Sequence, residues 1–222
     1  MKIVAVSGSP VRGGNVDSLL LATEEAFKYR DDVDFSTFFL SEMNITWCKH
    51  CNWCLKRQKP ERLCAINDNM NKIYPALEEC DGLLIASPVH FLRLSAPTAS
   101  FIDRLRLYYH GNLTSGLMRN KVGGAIAVSW YRDAGIDLTV QTIQSAFHVL
   151  KMVVAAPDEG IIGGGAVSSL HGTGGLVKGS KNAVLLDEYG LKTAKSVVER
   201  MIELCEIMIV GRAKAKGMGE FA

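Results

Sequence analysis

Residues 2–20, KIVAVSGSPVRGGNVDSLL, constrain the fold more than any other stretch of the chain. The opening KIVAV is apolar, β-branched and of strand length, and a helical pattern starts at Asn15. The Ser/Gly/Pro-rich residues between them therefore make a tight strand-to-helix turn. Gly8, Gly13 and Gly14 let the backbone approach a ligand closely, and the free N–H groups of the helix's first turn favour an anion. Ser7, Ser9 and Asn15 add neutral donors, and Arg12 adds a fixed positive charge suited to phosphate. A Walker loop is excluded because Gly14 is followed by Asn15 and Val16, and the dinucleotide fingerprint because Gly8 is followed two positions later by Pro10. A phosphatase loop needs a cysteine before its arginine, yet the first cysteine is Cys48. What remains is a binder of a terminal phosphate; the plainer alternative is an ordinary glycine-rich turn.

Further strands are expected at 33–40, 82–86, 122–128 and 152–156. Helices are expected at 15–29, 67–79, 135–150 and 187–210, with another that Ser95 caps and Pro97 opens. Five strands alternating with helices give an α/β fold with a parallel sheet covered on both faces. At 222 residues and 48% hydrophobic side chains, one domain is expected, with a cysteine-rich insertion at 46–66. The 157–182 segment is glycine-rich and too long for a simple connection, so it reads as a lid, a subunit-exchanging arm or plain disorder.

Ligands of such sheets bind beyond the carboxyl ends of the strands. That rule places the phosphate loop, the cysteine segment, Ser87–Phe91, the loop from Ser129 to Gly135 and the glycine-rich segment on one edge. Pro88, Val89, His90 and Phe91 offer a rigid turn with two flat side chains. Ser129, Trp130, Tyr131 and Arg132 offer two more aromatics and a guanidinium. Flat groups across from a phosphate site suit a phosphorylated planar ligand such as FMN. Alternatively, Phe91, Trp130 and Tyr131 are loop anchors packed on the core.

Cys48, Cys51 and Cys54 stand at equal steps of three, and Cys64 follows after nine residues. Three cysteines at such steps wrap a cubane, which points to a 4Fe–4S cluster held by Cys48, Cys51, Cys54 and Cys64. His50 and His110 keep a zinc reading open. Cys80 and Cys205 read as packed thiols.

These features resemble the flavodoxin-like FMN proteins that include NADPH-dependent FMN reductases and iron-sulfur flavoproteins. The resemblance rests on Gly8-Ser9-Pro10 with Gly14-Asn15, Asp81-Gly82 leading to Ser87-Pro88-Val89, Phe101-Ile102-Asp103-Arg104, and the loop from Trp130 to Gly135. It implies a doubly wound five-stranded sheet in the order 2-1-3-4-5. It also implies that Ser9, Arg12, Asn15 and Val16 hold the FMN phosphate, that Pro88 to Phe91 flank the isoalloxazine, and that Ser129 to Gly135 touch its edge. Asp103 and Arg104 are expected to stabilise helix and sheet. Val16 stands where the family commonly has a hydroxyl, and His90 where it has tyrosine. Asp17 must point away from a phosphate or cap another N–H.

The resulting expectation is an oxidoreductase with no acid–base side chain, because reduced flavin exchanges its proton with water. FMN and cluster pass electrons to and from a donor or acceptor such as ferredoxin or NAD(P)H. The rivals are a cluster-free NAD(P)H-dependent flavin or quinone reductase, and a phosphate-binding module with structural zinc. A net charge of +2 argues against nucleic acid, with the only basic cluster read as a solvated or frayed tail at Arg212, Lys214 and Lys216. No apolar run reaches membrane-spanning length and no leader pattern opens the chain, so a cytoplasmic protein is expected. The resemblance implies a homodimer or homotetramer.

Overall fold

The computed structural model describes residues 1–160 and 162–217. The opening strand β1 (Lys2–Ser7) lies between β2 (Asp34–Phe39) and β3 (Gly82–His90), both parallel to it. Next to β3 runs β5 (Val122–Ser129), also parallel. The last position in the sheet is shared: β6 (Val153–Val154) pairs with the start of β5 and β7 (Gly164–Val167) with its end. The two-residue β4 (Arg93–Leu94) folds back antiparallel on the tip of β3. Leaving that hairpin aside, the order is the expected 2-1-3-4-5, with the fifth strand broken in two.

Residue alternation along the strands explains the two layers of helix. Val4 and Val6 of β1 and Leu83 and Ile85 of β3 face one way. They pack against α2 (Met70–Glu79), α3 (Ala96–Arg104) and α5 (Ile136–Val149), through Ile73, Leu77, Phe101, Ile143 and Phe147. Ile3, Ala5, Leu84 and Ala86 face the other way, toward α1 (Asn15–Glu25) and α6 (Glu188–Gly217), through Leu19, Leu20, Val197, Val198 and Met201. Because both faces are covered, the central strands are near-continuous apolar runs. The short α4 (Leu107–His110) extends the first layer. Among the described residues, no helix is long and apolar enough to cross a membrane.

Three expectations change. The fifth strand is Val153–Val154 and resumes at Gly164–Val167 after an excursion, so part of the 157–182 segment is neither lid nor disorder but sheet. The strand expected to stop at 86 runs on through Ser87 and Pro88 to His90, because β4 supplies a partner for its tip. The helix expected to end at 210 continues to Gly217, and Arg212 is no frayed cation: its Nη2 donates to Asp81 Oδ1 at 2.7 Å, anchoring α6 to the start of β3.

Candidate functional site

The turn after β1 is fixed from below. Gly8 N–H donates to Ala86 C=O at 2.8 Å, and Ser95 Oγ, at the N-cap of α3, donates to Gly8 C=O at 2.6 Å. Asp17 sits beneath the turn, 2% exposed, and accepts from Ser7 Oγ at 2.5 Å and Gly13 N–H at 2.7 Å. Its carboxylate therefore caps another N–H and holds the turn shut. Above it, α1 begins at Gly14 with no side-chain cap, and its first intrahelical bond runs from Ser18 N–H to Gly14 C=O. The N–H groups of Asn15, Val16 and Asp17 thus have no intrahelical acceptor, the arrangement that attracts an anion.

These N–H groups open on a cleft of about 320 Å³ lined by Ser9, Pro10, Val11, Gly14, Asn15, Val16, Pro88, Val89, His90, Val128, Trp130 and Ser168. The cleft lies at the carboxyl ends of β1, β3 and β5, where the sheet order reverses. The remaining positions singled out from sequence have other places. Ser7 is buried under the turn with Asp17, and Arg12 turns outward to pair with Glu42. Phe91 stands 99% exposed at the tip of the β3–β4 hairpin, where Phe91 and Leu92 both have positive φ, the backbone of a type I′ turn. Ser129 is buried, with its carbonyl accepting from Ser168 N–H at 2.8 Å.

Tyr131, Arg132 and Gly135 are occupied by neighbouring chain. Arg132 N–H donates to Gly172 C=O at 2.9 Å and Tyr131 bridges to Thr173. Gly135, at φ +90, packs so closely on Leu92 that a Cβ would lie 2.6 Å from the Leu92 Cα. Asn15 likewise spends its side-chain oxygen on Val184 N–H, at 3.0 Å. Pro10, Val11, Val128 and Ser168 were missed by sequence reasoning. Ser168 arrives directly after β7, and only recognition of that broken strand would have found it.

The cysteine segment is laced at its base. Asn44 N–H donates to Asn69 Oδ1 at 2.7 Å, Thr46 N–H to Asp68 Oδ2 at 2.9 Å, and Arg104 Nη1 to both Thr46 C=O, at 2.8 Å, and Asp68 Oδ2, at 2.6 Å. Within the loop, His50 and Asn52 take left-handed backbone conformations and Arg62 stacks over the Trp53 ring at 5.0 Å. Cys48, Cys54 and Cys64 are half-buried and Cys51 is exposed. Arg106 Nη1 lies 3.9 Å from Cys54 Sγ, and Ile66 N–H donates to Cys64 Sγ at 3.5 Å. Burial raises the pKa of the Cys54 thiol; Arg106 opposes that rise, while Cys64 and Cys48 add to it. Among the described residues, no three His, Cys, Asp or Glu side chains converge as they would around a single metal ion. Cys80 and Cys205 are packed thiols, pushed by burial to about 11 and about 12.

The expectation that cradle and cysteines share one rim is corrected. Helix α3 starts at the cradle, where Ser95 bonds Gly8, and ends at Arg104, which bonds Thr46 and Asp68. Its 9 residues span about 13 Å. The segment leaves the edge of the sheet and is held at the far end of α3 by Arg104 and, just beyond that helix, by Arg106. A second recess, of about 590 Å³, lies beside it and is bounded by Cys48, His50, Arg106, Tyr109, His110 and Leu150.

A parallel sheet in this order, with an uncapped helix start opening on a cleft at its reversal point, is a flavodoxin-like α/β fold. Residues 1–166 match the family model for NADPH-dependent FMN reductases. An iron-sulfur flavoprotein of Methanosarcina thermophila is 28% identical over 214 residues, 96% of this chain and 100% of the relative. One of Methanocaldococcus jannaschii is 30% identical over 210 residues, 94% of this chain and 99% of the relative. The chain belongs to the NADPH-dependent FMN reductase family and, within it, stands with the iron-sulfur flavoproteins. Among solved structures, RosB with bound 8-demethyl-8-formylriboflavin-5'-phosphate has a TM-score of 0.69 at 13% identity, covering 100% of this chain and 88% of that one. Apo NADH:FMN oxidoreductase has a TM-score of 0.60 at 15% identity, covering 91% and 89%. At these identities the structures show the shared fold alone.

Proposed function

We propose that this chain is a cytoplasmic iron-sulfur flavoprotein that exchanges electrons between FMN, a 4Fe–4S cluster and an external donor or acceptor such as ferredoxin or NAD(P)H. The observation that carries the flavin part is the uncapped start of α1 opening on the cleft, with the Asp17 carboxylate already engaged below the turn. Ser9 and the N–H groups of Asn15, Val16 and Asp17 would hold the phosphate. Pro88, Val89, His90 and Trp130 would bound the flat ring, and Ser168 would close the far wall. FMN supplies two-electron chemistry that can also proceed in single steps, and the cluster handles one electron at a time. The chain's own part is to bind, to orient and to exclude water from the apolar floor made by Val16 and Val128.

For the cluster, the donor set supports the fit. Four thiols lie on one short segment, three of them half-buried, and two of the sulfurs face N–H donors. A cubane takes each thiolate on a different iron, so its ligands surround a volume and need not converge on a point. Cys48, Cys51, Cys54 and Cys64 would be those ligands.

Apoprotein titrated with FMN and with riboflavin tests the cradle. FMN is expected to bind at least about a hundredfold more tightly, the worth of one or two hydrogen bonds to a charged group; equal affinities would remove the phosphate site. Iron analysis after anaerobic purification tests the cluster, with about four iron per chain expected. A yellow, iron-free protein that oxidises NADPH rapidly would instead select the cluster-free reductase.

A further inference from the structure

The cysteine segment carries a charge that the rest of the chain does not share. Residues 47–62 hold Lys49, Lys56, Arg57, Lys59 and Arg62 against the single acid Glu61, a net +4 in a chain whose total is +2, so the remainder is net acidic. All five cations are exposed. Among the described residues none of them enters an ion pair, whereas cations elsewhere on the surface, such as Arg12, Arg30 and Arg200, find carboxylates.

The turn that presents most of this charge is stiff. Lys59 and Arg62 exchange both backbone N–H to C=O bonds, at 3.0 and 2.9 Å, around Pro60 and Glu61. Gln58, 5% exposed, locks it from behind, its Nε2 donating to Leu63 C=O at 3.1 Å and to Thr114 Oγ1 at 2.9 Å. The ladder sets Lys59 directly opposite Arg62, where like charges destabilise a hairpin. An anionic surface laid against the turn relieves that repulsion. Beside the segment lies the recess of about 590 Å³, walled in part by Ile102, Leu105, Tyr109 and Leu150, and Trp47, next to the recess-lining Cys48, is 65% exposed. Apolar ground with a charged rim is the anatomy of a protein interface, whereas a nucleic-acid face is polar and basic throughout.

We propose that the exposed cations of residues 47–62, with the recess beside them, form the docking face for an acidic one-electron carrier protein. The inference rests on the electron-exchange reading above and adds to it where the carrier lands: on the cysteine segment, leaving the cleft at the carboxyl edge free. Opposite charges steer the encounter and fix its orientation, so the affinity falls as salt screens them.

An acidic two-cluster ferredoxin is the probe, with cytochrome c as a basic carrier and a short DNA duplex as a plain polyanion. Titrated calorimetrically into the anaerobically purified protein, the ferredoxin is expected to bind at least about tenfold more weakly at about 300 mM salt than at about 50 mM. Lys56→Glu combined with Lys59→Glu should weaken binding by at least about tenfold at the lower salt, with iron content and FMN affinity as in the wild type. A salt-independent affinity, a variant that binds like the wild type, or cytochrome c binding as tightly as the ferredoxin would overturn the docking face. Tighter binding of the duplex than of the ferredoxin would overturn it in favour of a nucleic-acid partner. An iron-loaded wild type that does not bind the ferredoxin would overturn this inference alone. Salt-dependent ferredoxin binding by an iron-free wild type would remove the cluster reading and leave the docking face standing.

Discussion

Asp68→Ala is expected to cost about 3–5 kcal/mol of folding stability, lowering the midpoint of thermal unfolding by roughly 10 °C. The Arg104–Asp68 pair is almost wholly buried, with side chains 1% and 4% exposed, and its closest N–O distance is 2.6 Å. Removing the carboxylate leaves a guanidinium with no counter-charge in a place that water does not reach. Asp68 also accepts from Thr46 N–H at 2.9 Å and from Met70 N–H at 3.1 Å, so the same change frees the base of the cysteine segment and uncaps α2. Asp68→Leu with Arg104→Met should recover part of the stability, since a buried pair replaced by apolar groups of similar volume is often neutral. It should not restore the lacing at Thr46. Chemical denaturation separates these outcomes, and a loss below about 1 kcal/mol in Asp68→Ala would show that the pair does not close the segment.

That pair also shows where the sequence stops being readable. The layers of the fold were legible because they depend on local pattern. Alternating residues such as Val4 and Ala5 must face opposite sides of a strand, and β-branched runs too apolar for an edge must be central. The strand-to-helix turn after β1 was legible for the same reason, since glycines and a helix start within a few residues define it. Asp17 was constrained to two orientations by its charge, and the structure takes the one that caps Gly13. The path of the cysteine segment was not legible. It is set by Arg104, 36 positions from Asp68 and read from sequence only as a brace between helix and sheet. Its two bonding partners lie on a loop whose direction no local pattern specifies. The strand Gly164–Val167 was hidden because three of the glycines around it, which read as flexibility, are required by contact. A Cβ at Gly163 would lie 2.6 Å from Val140 Cγ1, one at Gly164 2.9 Å from Ile126 Cγ1, and one at Gly165 2.8 Å from Ile136 Cγ2. Arg12 pairs with Glu42 in the structure, a partner the sequence did not point to because the charge suits a phosphate and a carboxylate equally well.

Gly8→Ala is expected to lower FMN affinity by about a hundredfold and stability by about 3 kcal/mol, because Gly8 is where the cradle is bolted to α3. A Cβ there would lie 1.8 Å from Thr98 Oγ1, 2.9 Å from Thr98 Cβ and 3.3 Å from Thr98 Cα. The first contact could be relieved by rotating a free threonine, but Thr98 is not free. Its Oγ1 donates to Ser87 Oγ at 2.9 Å and meets Ser95 Oγ at 2.8 Å, while its N–H donates to the Ser95 cap. The strain must therefore pass into the backbone, lifting the turn away from the hydrogen bonds that tie Gly8 to Ala86 and Ser95. Gly8→Ala with Thr98→Ala removes only the shortest contact and should recover affinity in part. Gly13→Ala is the contrasting case: its φ of +60 is unfavourable for alanine, but no atom lies within 4 Å of the added methyl. It should cost about 1–2 kcal/mol of stability and leave the N–H groups of Asn15 and Val16 where they are. Titrating FMN into the three apoproteins ranks them. Wild-type affinity in Gly8→Ala would mean that the phosphate does not rest on this turn.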